Sequence, residues 1–174
     1  MPQVVSKSKP VSSRHYIVWL GTGVLLIVII AGGLWYYNRE SQKNAYAKAV
    51  QQATTADRHG YYGTEIQLYK AYLAKNPPTK YKDVILPVLA NALINDHQFD
   101  EAITLYKQLD GHPGTTHKGV IQGLASAYES KGDKATAIKE YQALIVILRA
   151  ENGPTSAMDV SGYQNQIRHL GGTP

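Results

Sequence analysis

The chain has 174 residues, no cysteine, and 18 basic against 13 acidic side chains for a net charge of +5. Without cysteine there is no disulfide, no thiolate metal site and no cysteine nucleophile, and the length allows one domain plus an anchor rather than two ordinary domains. Lys7, Lys9 and Arg14 precede an uncharged stretch, which leaves 15 basic against 13 acidic residues beyond it. With that near-balance the folded part does not look basic as a whole, so no nucleic-acid partner is expected.

Residues 1–15 read as a basic N-terminal tail. Residues 16–37 follow, 22 residues without a charge. As a helix rising 1.5 Å per residue they would extend roughly 33 Å, enough for a hydrocarbon core of about 30 Å. Tyr16 and Trp19 stand at one end, Trp35, Tyr36 and Tyr37 at the other, where amphipathic rings prefer the water–lipid boundary. Ala31, Gly32 and Gly33 would suit a signal-peptide cleavage site, but Leu34 to Tyr37 prolong the apolar run beyond an ordinary signal core. A retained transmembrane helix is the expectation. Basic residues tie across it: Lys7, Lys9 and Arg14 on one side, Arg39, Lys43 and Lys48 on the other. A first span usually leaves a short tail in the cytoplasm, which places the following domain outside it, in a single-pass arrangement at the cell membrane.

Residues 38–44 read as a juxtamembrane linker, and the rest as a helical array over 45–152. Two segments, 83–116 and 118–151, align at a constant offset of 35. Leu86 pairs with Ile121, Leu89 with Leu124, Ala90 with Ala125, Leu93 with Tyr128, Ala102 with Ala137, Ile103 with Ile138 and Tyr106 with Tyr141. Small residues at 90, 102, 125 and 137 let paired helices approach, and the larger ones fill the gaps between pairs. Asn95 with Asp96, and Lys131-Gly132-Asp133, break each pair, Asp133 being suited to cap the next helix. Gly111 with Pro113, and Gly153 with Pro154, mark helix ends. Pro87 sits near the first turn if Asp83 caps its helix, and would kink a helix begun at Thr79.

These residues resemble the tetratricopeptide repeat family, whose unit is 34 residues long. Lys134 stands where that family favours an aromatic, Leu109 and Leu144 where it favours a small residue, and Arg149 where it favours a helix-ending proline. Residues 46–78 read as a degenerate first unit, with Tyr62, Ile66 and Tyr69 in its second helix, Pro77-Pro78 at its end, and Glu65 at a small-residue position. About three such units are needed to enclose a core. Val160, Tyr163, Ile167 and Leu170 recur at helical spacing in a C-terminal capping helix over 155–170, closed by Gly171-Gly172. The expected fold is all-α: one N-terminal transmembrane helix, then a short α-solenoid of about three helical hairpins and a cap.

No nucleophile elbow, phosphate loop or zinc-protease motif occurs, so neither an enzyme nor a cofactor is expected. His112 and His117 lie five apart near Asp110, a spacing unlike helical metal ligands, and no metal is expected. Tyr69, Tyr106, Tyr128 and Tyr141 are assigned to packing by the repeat, while Tyr61, Tyr62, Tyr72 and Tyr81 are less constrained, with core or rim packing preferred over a sticky patch.

The resemblance implies that the first helices of successive units line a concave groove for a partner peptide or helix. On this chain that face maps to Asn91, Ile94 and Asn95, then Gln122, Ser126, Glu129 and Ser130. Gly119 and Gly123 stand where some family members carry a basic clamp for carboxylates, so that ligand is not expected. The reading is a membrane-anchored protein–protein interaction module, an adaptor or scaffold of an envelope or secretion-associated complex. Its layout is similar to that of membrane-anchored ancillary proteins of the bacterial translocon. The alternative is a self-assembling structural membrane protein.

Overall fold

The computed structural model describes the backbone of residues 13–112, 114–151 and 154–174, and the side chains of residues 22–112, 114–151 and 158–174. Seven helices occur among them and no strand: α1 (Ser13–Arg58), α2 (Tyr62–Leu73), α3 (Thr79–Asn95), α4 (Phe99–Leu109), α5 (His117–Lys131), α6 (Lys134–Glu151) and α7 (Pro154–His169). The chain divides between Asn44 and Ala45 into two compact units. The basic tail through residue 12 lies outside the described residues, as do Pro113 and Gly153.

In the first unit α1 is long and apolar enough to cross a membrane. Val24 to Ile30 and Leu34 to Tyr37 all point their apolar side chains outward. A helix apolar on every face finds no complementary surface in water, which suits it to lipid. The Arg39 guanidinium lies 5.3 Å from the Trp35 ring centroid, marking the polar end of the run. Tyr16 and Trp19 are helical, with side chains outside the described set. Residues 38–44, read from the sequence as a linker, are helical too, so α1 passes through them without a break.

The second unit begins with the Ala45–Arg58 turns of α1. Ala49, Ala53, Ile66 and Tyr69 bring these turns and α2 into one core cluster. From α2 onward, α3, α4, α5, α6 and α7 each pack on the helix before, and α3 also meets α5, its counterpart one hairpin on. All seven aligned residue pairs are buried or half-buried in both copies, with Ala90, Ala102, Ala125 and Ala137 fully enclosed. A first core cluster runs from Ala49 to Ala127, and a second joins α5, α6 and α7 through Ile121, Tyr141, Leu144 and Ile167. The α5 helix feeds both: Val120, Leu124 and Ala127 face the first cluster, Ile121 and Ala125 the second, and Tyr128 touches each. The C-terminal helix packs as its periodicity predicts, with Ile167 enclosed and Val160, Tyr163 and Leu170 against the second cluster.

The α3 helix starts at Thr79, not at Asp83, so Pro87 lies inside it. Proline lacks the N–H that would bond to the carbonyl four residues back, which leaves the Asp83 carbonyl without its helical donor. Asp133 does cap α6, accepting from the Thr136 backbone N–H at Oδ1 (3.1 Å) and the Thr136 hydroxyl at Oδ2 (2.8 Å). These bonds, the hydroxyl first, hold its carboxyl below the usual aspartate range.

Each hairpin turn contains one left-handed residue: Gly60 (φ 72°), His97 (φ 61°) and Gly132 (φ 87°). His97 and Gly132 are equivalent across the repeat offset, but only Gly132 avoids a Cβ clash in that conformation. Replacing His97 with Gly is expected to stabilise the second unit by about 0.5–1 kcal/mol, part of the relieved strain being offset by the freer unfolded chain. A urea midpoint raised without a change in slope would bear this out. A lowered midpoint would show that the edge-on ring contact of His97 with Phe99 (5.6 Å) outweighs the strain.

Candidate functional site

Between α3, α5 and the loop joining α4 to α5 lies a cleft of about 490 Å³. Asn91, Gln122 and Ser126 line it, as the repeat mapping expects, and the loop adds Gly114, Thr115 and Thr116. No charged side chain lines it. Its walls are amides, hydroxyls and glycine backbone, a surface that offers hydrogen bonds in both directions without a net field.

Tyr106 on α4 reaches under the cleft, and its hydroxyl donates to Asn91 Oδ1 (2.6 Å). Burial pushes that hydroxyl's pKa up to about 12, so it stays a neutral donor at any physiological pH. With Oδ1 so engaged, the Asn91 amide keeps two N–H groups as donors. The Tyr106 ring lies flat against the α5 backbone at Gly123, where a Cβ would stand 2.2 Å from ring carbons Cε1 and Cζ. Gly123 is thus the residue that lets α4 and α5 close beneath the cleft floor.

The loop is held in place by several contacts. Thr116 caps α5, its hydroxyl accepting from the Gly119 N–H at 3.1 Å. Gly114 sits so close to α3 that a Cβ there would fall 2.1 Å from Asp83 Cβ. His112 Nδ1 stands 3.3 Å from Asp83 Oδ1, an electrostatic contact without hydrogen-bond geometry, and both atoms are otherwise unpartnered. The Thr115 hydroxyl, on the cleft wall, is buried with no hydrogen-bond partner. A buried polar atom left unpaired costs free energy.

The other mapped residues lie elsewhere. Asn95 and Ser130 are exposed but do not line the cleft. Ile94 is 9% exposed and belongs to the first core cluster, so its side chain is not on offer to a partner. Glu129, its equivalent 35 residues on, also turns inward. Its Oε2 accepts from the Tyr141 hydroxyl (2.6 Å) and its Oε1 from the Gln166 side-chain N–H, which ties α5, α6 and α7 together. Burial, then the bond to Glu129, raise the Tyr141 hydroxyl well above the usual tyrosine range. Replacing Glu129 with Ala would leave the Tyr141 hydroxyl without an acceptor and is expected to cost about 2–3 kcal/mol. Hydrogen exchange should then show α7 losing protection first, whereas unchanged protection of α7 would contradict the structural role.

The histidine pair read from the loop separates in the structure, His117 Nδ1 lying 2.7 Å from Asp110 Oδ1 while His112 faces Asp83. Among the described residues no three histidine or carboxylate side chains converge on one point. Of the less constrained tyrosines, Tyr72 is buried, Tyr62 and Tyr81 are half-buried, and Tyr61 is exposed.

Sequence reasoning missed the contribution of the 114–116 loop to the cleft, because a loop does not share the repeat's periodicity. It also missed the packing role of Gly123. A glycine in the middle of an otherwise regular helix is the signal that points to such a close approach. No family model matches the chain, and no curated protein is significantly similar to it.

Proposed function

We propose that this chain is a membrane-anchored protein–protein interaction module whose cleft between α3 and α5 binds an extended, uncharged peptide segment of a partner. The observation that carries this reading is the lining of the cleft: amides from Asn91 and Gln122, the hydroxyl of Ser126, and no charge. Such groups match the alternating N–H and C=O of an extended backbone. An uncharged lining also gives no advantage to acidic or basic side chains, which would be desolvated without a counter-charge.

In the same reading the helical array is a tetratricopeptide-like solenoid, α1 crosses the cell membrane, and the second unit stands on the extracytoplasmic side as an adaptor or scaffold of an envelope or secretion-associated complex. The helical hairpins and the apolar exterior of α1 support it. The chemistry is recognition, with no bond made or broken.

Two experiments test this. Filling the cleft by Ser126→Trp should abolish co-purification of the partner with the full-length chain from its own membranes. Co-purification undiminished by that substitution would overturn the cleft as the binding site. A reporter active only in the cytoplasm, fused after Pro174, should be silent. Activity from it would invert the orientation.

A further inference from the structure

The second unit carries another cleft, of about 320 Å³, at the end where α1 enters. Lys48 and Gln52 from α1 face Tyr72 from the end of α2 and Lys75 from the turn after it, over a floor that includes Ala49 and Ala71. The Tyr72 hydroxyl is buried there without a hydrogen-bond partner, its ring only 4% exposed. Burial, then the neighbouring Tyr81 and Tyr46, raise its pKa, which keeps it a neutral donor.

More positive charge gathers at the same end. Tyr46 stacks on Tyr81 with centroids 4.5 Å apart, which brings the first turn of α3 beside α1. Lys80 Nζ lies 4.7 Å from the centroid of the Tyr81 ring, and Lys82 Nζ donates to Asn76 Oδ1 at 2.6 Å. The sequence from 66 to 82 contains Lys70, Lys75, Lys80 and Lys82 and no acidic residue, and that from 41 to 56 contains Lys43 and Lys48 and none. Lys70 is neutralised by Glu101 at 2.5 Å. Among the described residues no carboxylate pairs with Lys48, Lys75, Lys80 or Lys82. Lys118 and Lys131, on later helices, do hold carboxylates, Glu151 at 2.8 Å and Asp100 at 2.5 Å.

Two ammonium groups and an amide over a small apolar floor have the chemistry of a site for a phosphate oxyanion. The choice among sources of that anion follows from chain length. Ala45 is eight residues beyond Tyr37, the last residue of the apolar run, so this end of the unit can stand no more than roughly 30 Å from the lipid boundary. Basic residues so near a bilayer meet the acidic headgroups at its surface before any diffusing ligand.

We propose that this end of the second unit docks on acidic phospholipids of the bilayer that α1 enters, one headgroup phosphate occupying the cleft lined by Lys48, Gln52, Tyr72 and Lys75. Docking would hold the domain down on the membrane. This proposal rests on the reading of α1 as a span, and the test separates the two. The chain lacks cysteine, so Ala74→Cys, beside the cleft on an exposed position, gives a single spin-label site in the full-length protein.

The labelled chain is reconstituted in vesicles of phosphatidylcholine alone or with phosphatidylglycerol. The label should lose mobility and gain contact with a lipid-soluble relaxant only in the acidic vesicles, and concentrated salt should reverse both changes. Lys48→Gln and Lys75→Gln should each lower the ratio of docked to undocked chain about fivefold. A label indifferent to lipid charge, or to both substitutions, overturns the docking. Alkaline extraction of the same vesicles reads insertion separately. A chain that resists extraction with an indifferent label loses the docking and keeps the span. A chain released by alkali that sediments at neutral pH only with acidic vesicles keeps the docking and loses the span.

Discussion

Exchanging Glu65 for Gln is expected to stabilise the second unit by about 2 kcal/mol at pH 8 and to change it little at pH 4. Glu65 is 4% exposed, and its Oε2 has no hydrogen-bond partner. Burial first, and then the charge of Asp57, push its carboxyl from 4.5 up to about 7. The folded state therefore holds the proton more tightly than the unfolded chain. The stability that this brings is fully present below pH 4.5 and is lost as pH rises through 7. The whole interval corresponds to roughly 3 kcal/mol, and the buried amide of Gln gives back part of it. Urea titrations of the full-length chain in detergent at the two pH values check this. Parallel pH dependence in the two proteins would contradict it.

The sequence reading puts Glu65 at a small-residue position, the kind that Ala102 and Ala137 fill in the later hairpins, both of them fully buried. The first hairpin is thus the one that neutral pH weakens, and it is the hairpin built partly from α1. Titration of this one carboxyl should therefore make the stability of the first hairpin depend on pH.

Gly123→Ala should destabilise the second unit by about 2 kcal/mol, although alanine is the better helix former by about 1 kcal/mol. The added methyl would stand 2.2 Å from two carbons of the Tyr106 ring. That ring is 3% exposed and fixed at its far end by the bond to Asn91, so relief requires α4 and α5 to separate. The expected outcome combines a lowered melting temperature with loss of the Tyr106–Asn91 bond and hence a reshaped cleft. Gly119→Ala is the matched control. Its methyl meets only the Thr116 hydroxyl, at 3.1 Å, and the propensity gain should leave stability near that of the parent. Equal effects at 119 and 123 would show that helix propensity, not the ring contact, governs both positions.

Much of the helical scaffold was legible in the residue pattern, because burial periodicity and hairpin turns are local signals. The paired positions from Leu86/Ile121 to Tyr106/Tyr141 are inward-facing in both copies, and Ile167 packs where its spacing places it. The start of α3 was harder to see. Pro87 looks like a first-turn residue, yet the contacts of Tyr81 and Ile85 with the first core cluster extend the helix back to Thr79. The cleft was legible only in part. Gln122 and Ser126 share one face of α5 and Asn91 lies 35 residues before Ser126 on α3, so helical spacing and the repeat offset suffice to find them. Ile94 and its counterpart Glu129 lie next to that face but turn toward the following helix. An isoleucine at the first of these positions is itself a sign of burial, and the polar partners of Glu129 come from Tyr141 and from Gln166, 37 residues away. Nothing in a linear pattern announces a carboxylate on one helix held by two others. The basic end of the unit has the opposite character. Its lysines are visible as acid-free stretches in the chain, but their convergence depends on α1, α2 and α3 meeting around Tyr46, Tyr72 and Tyr81.

Site-specific photo-cross-linking in native membranes probes the proposed partner cleft most directly. A cross-linker at Gln122, on the cleft wall, should yield a discrete adduct with another membrane or envelope protein. The same group at Lys139, an exposed position outside the cleft, should not. Adducts absent from Gln122, or formed equally from both positions, would contradict peptide recognition between α3 and α5.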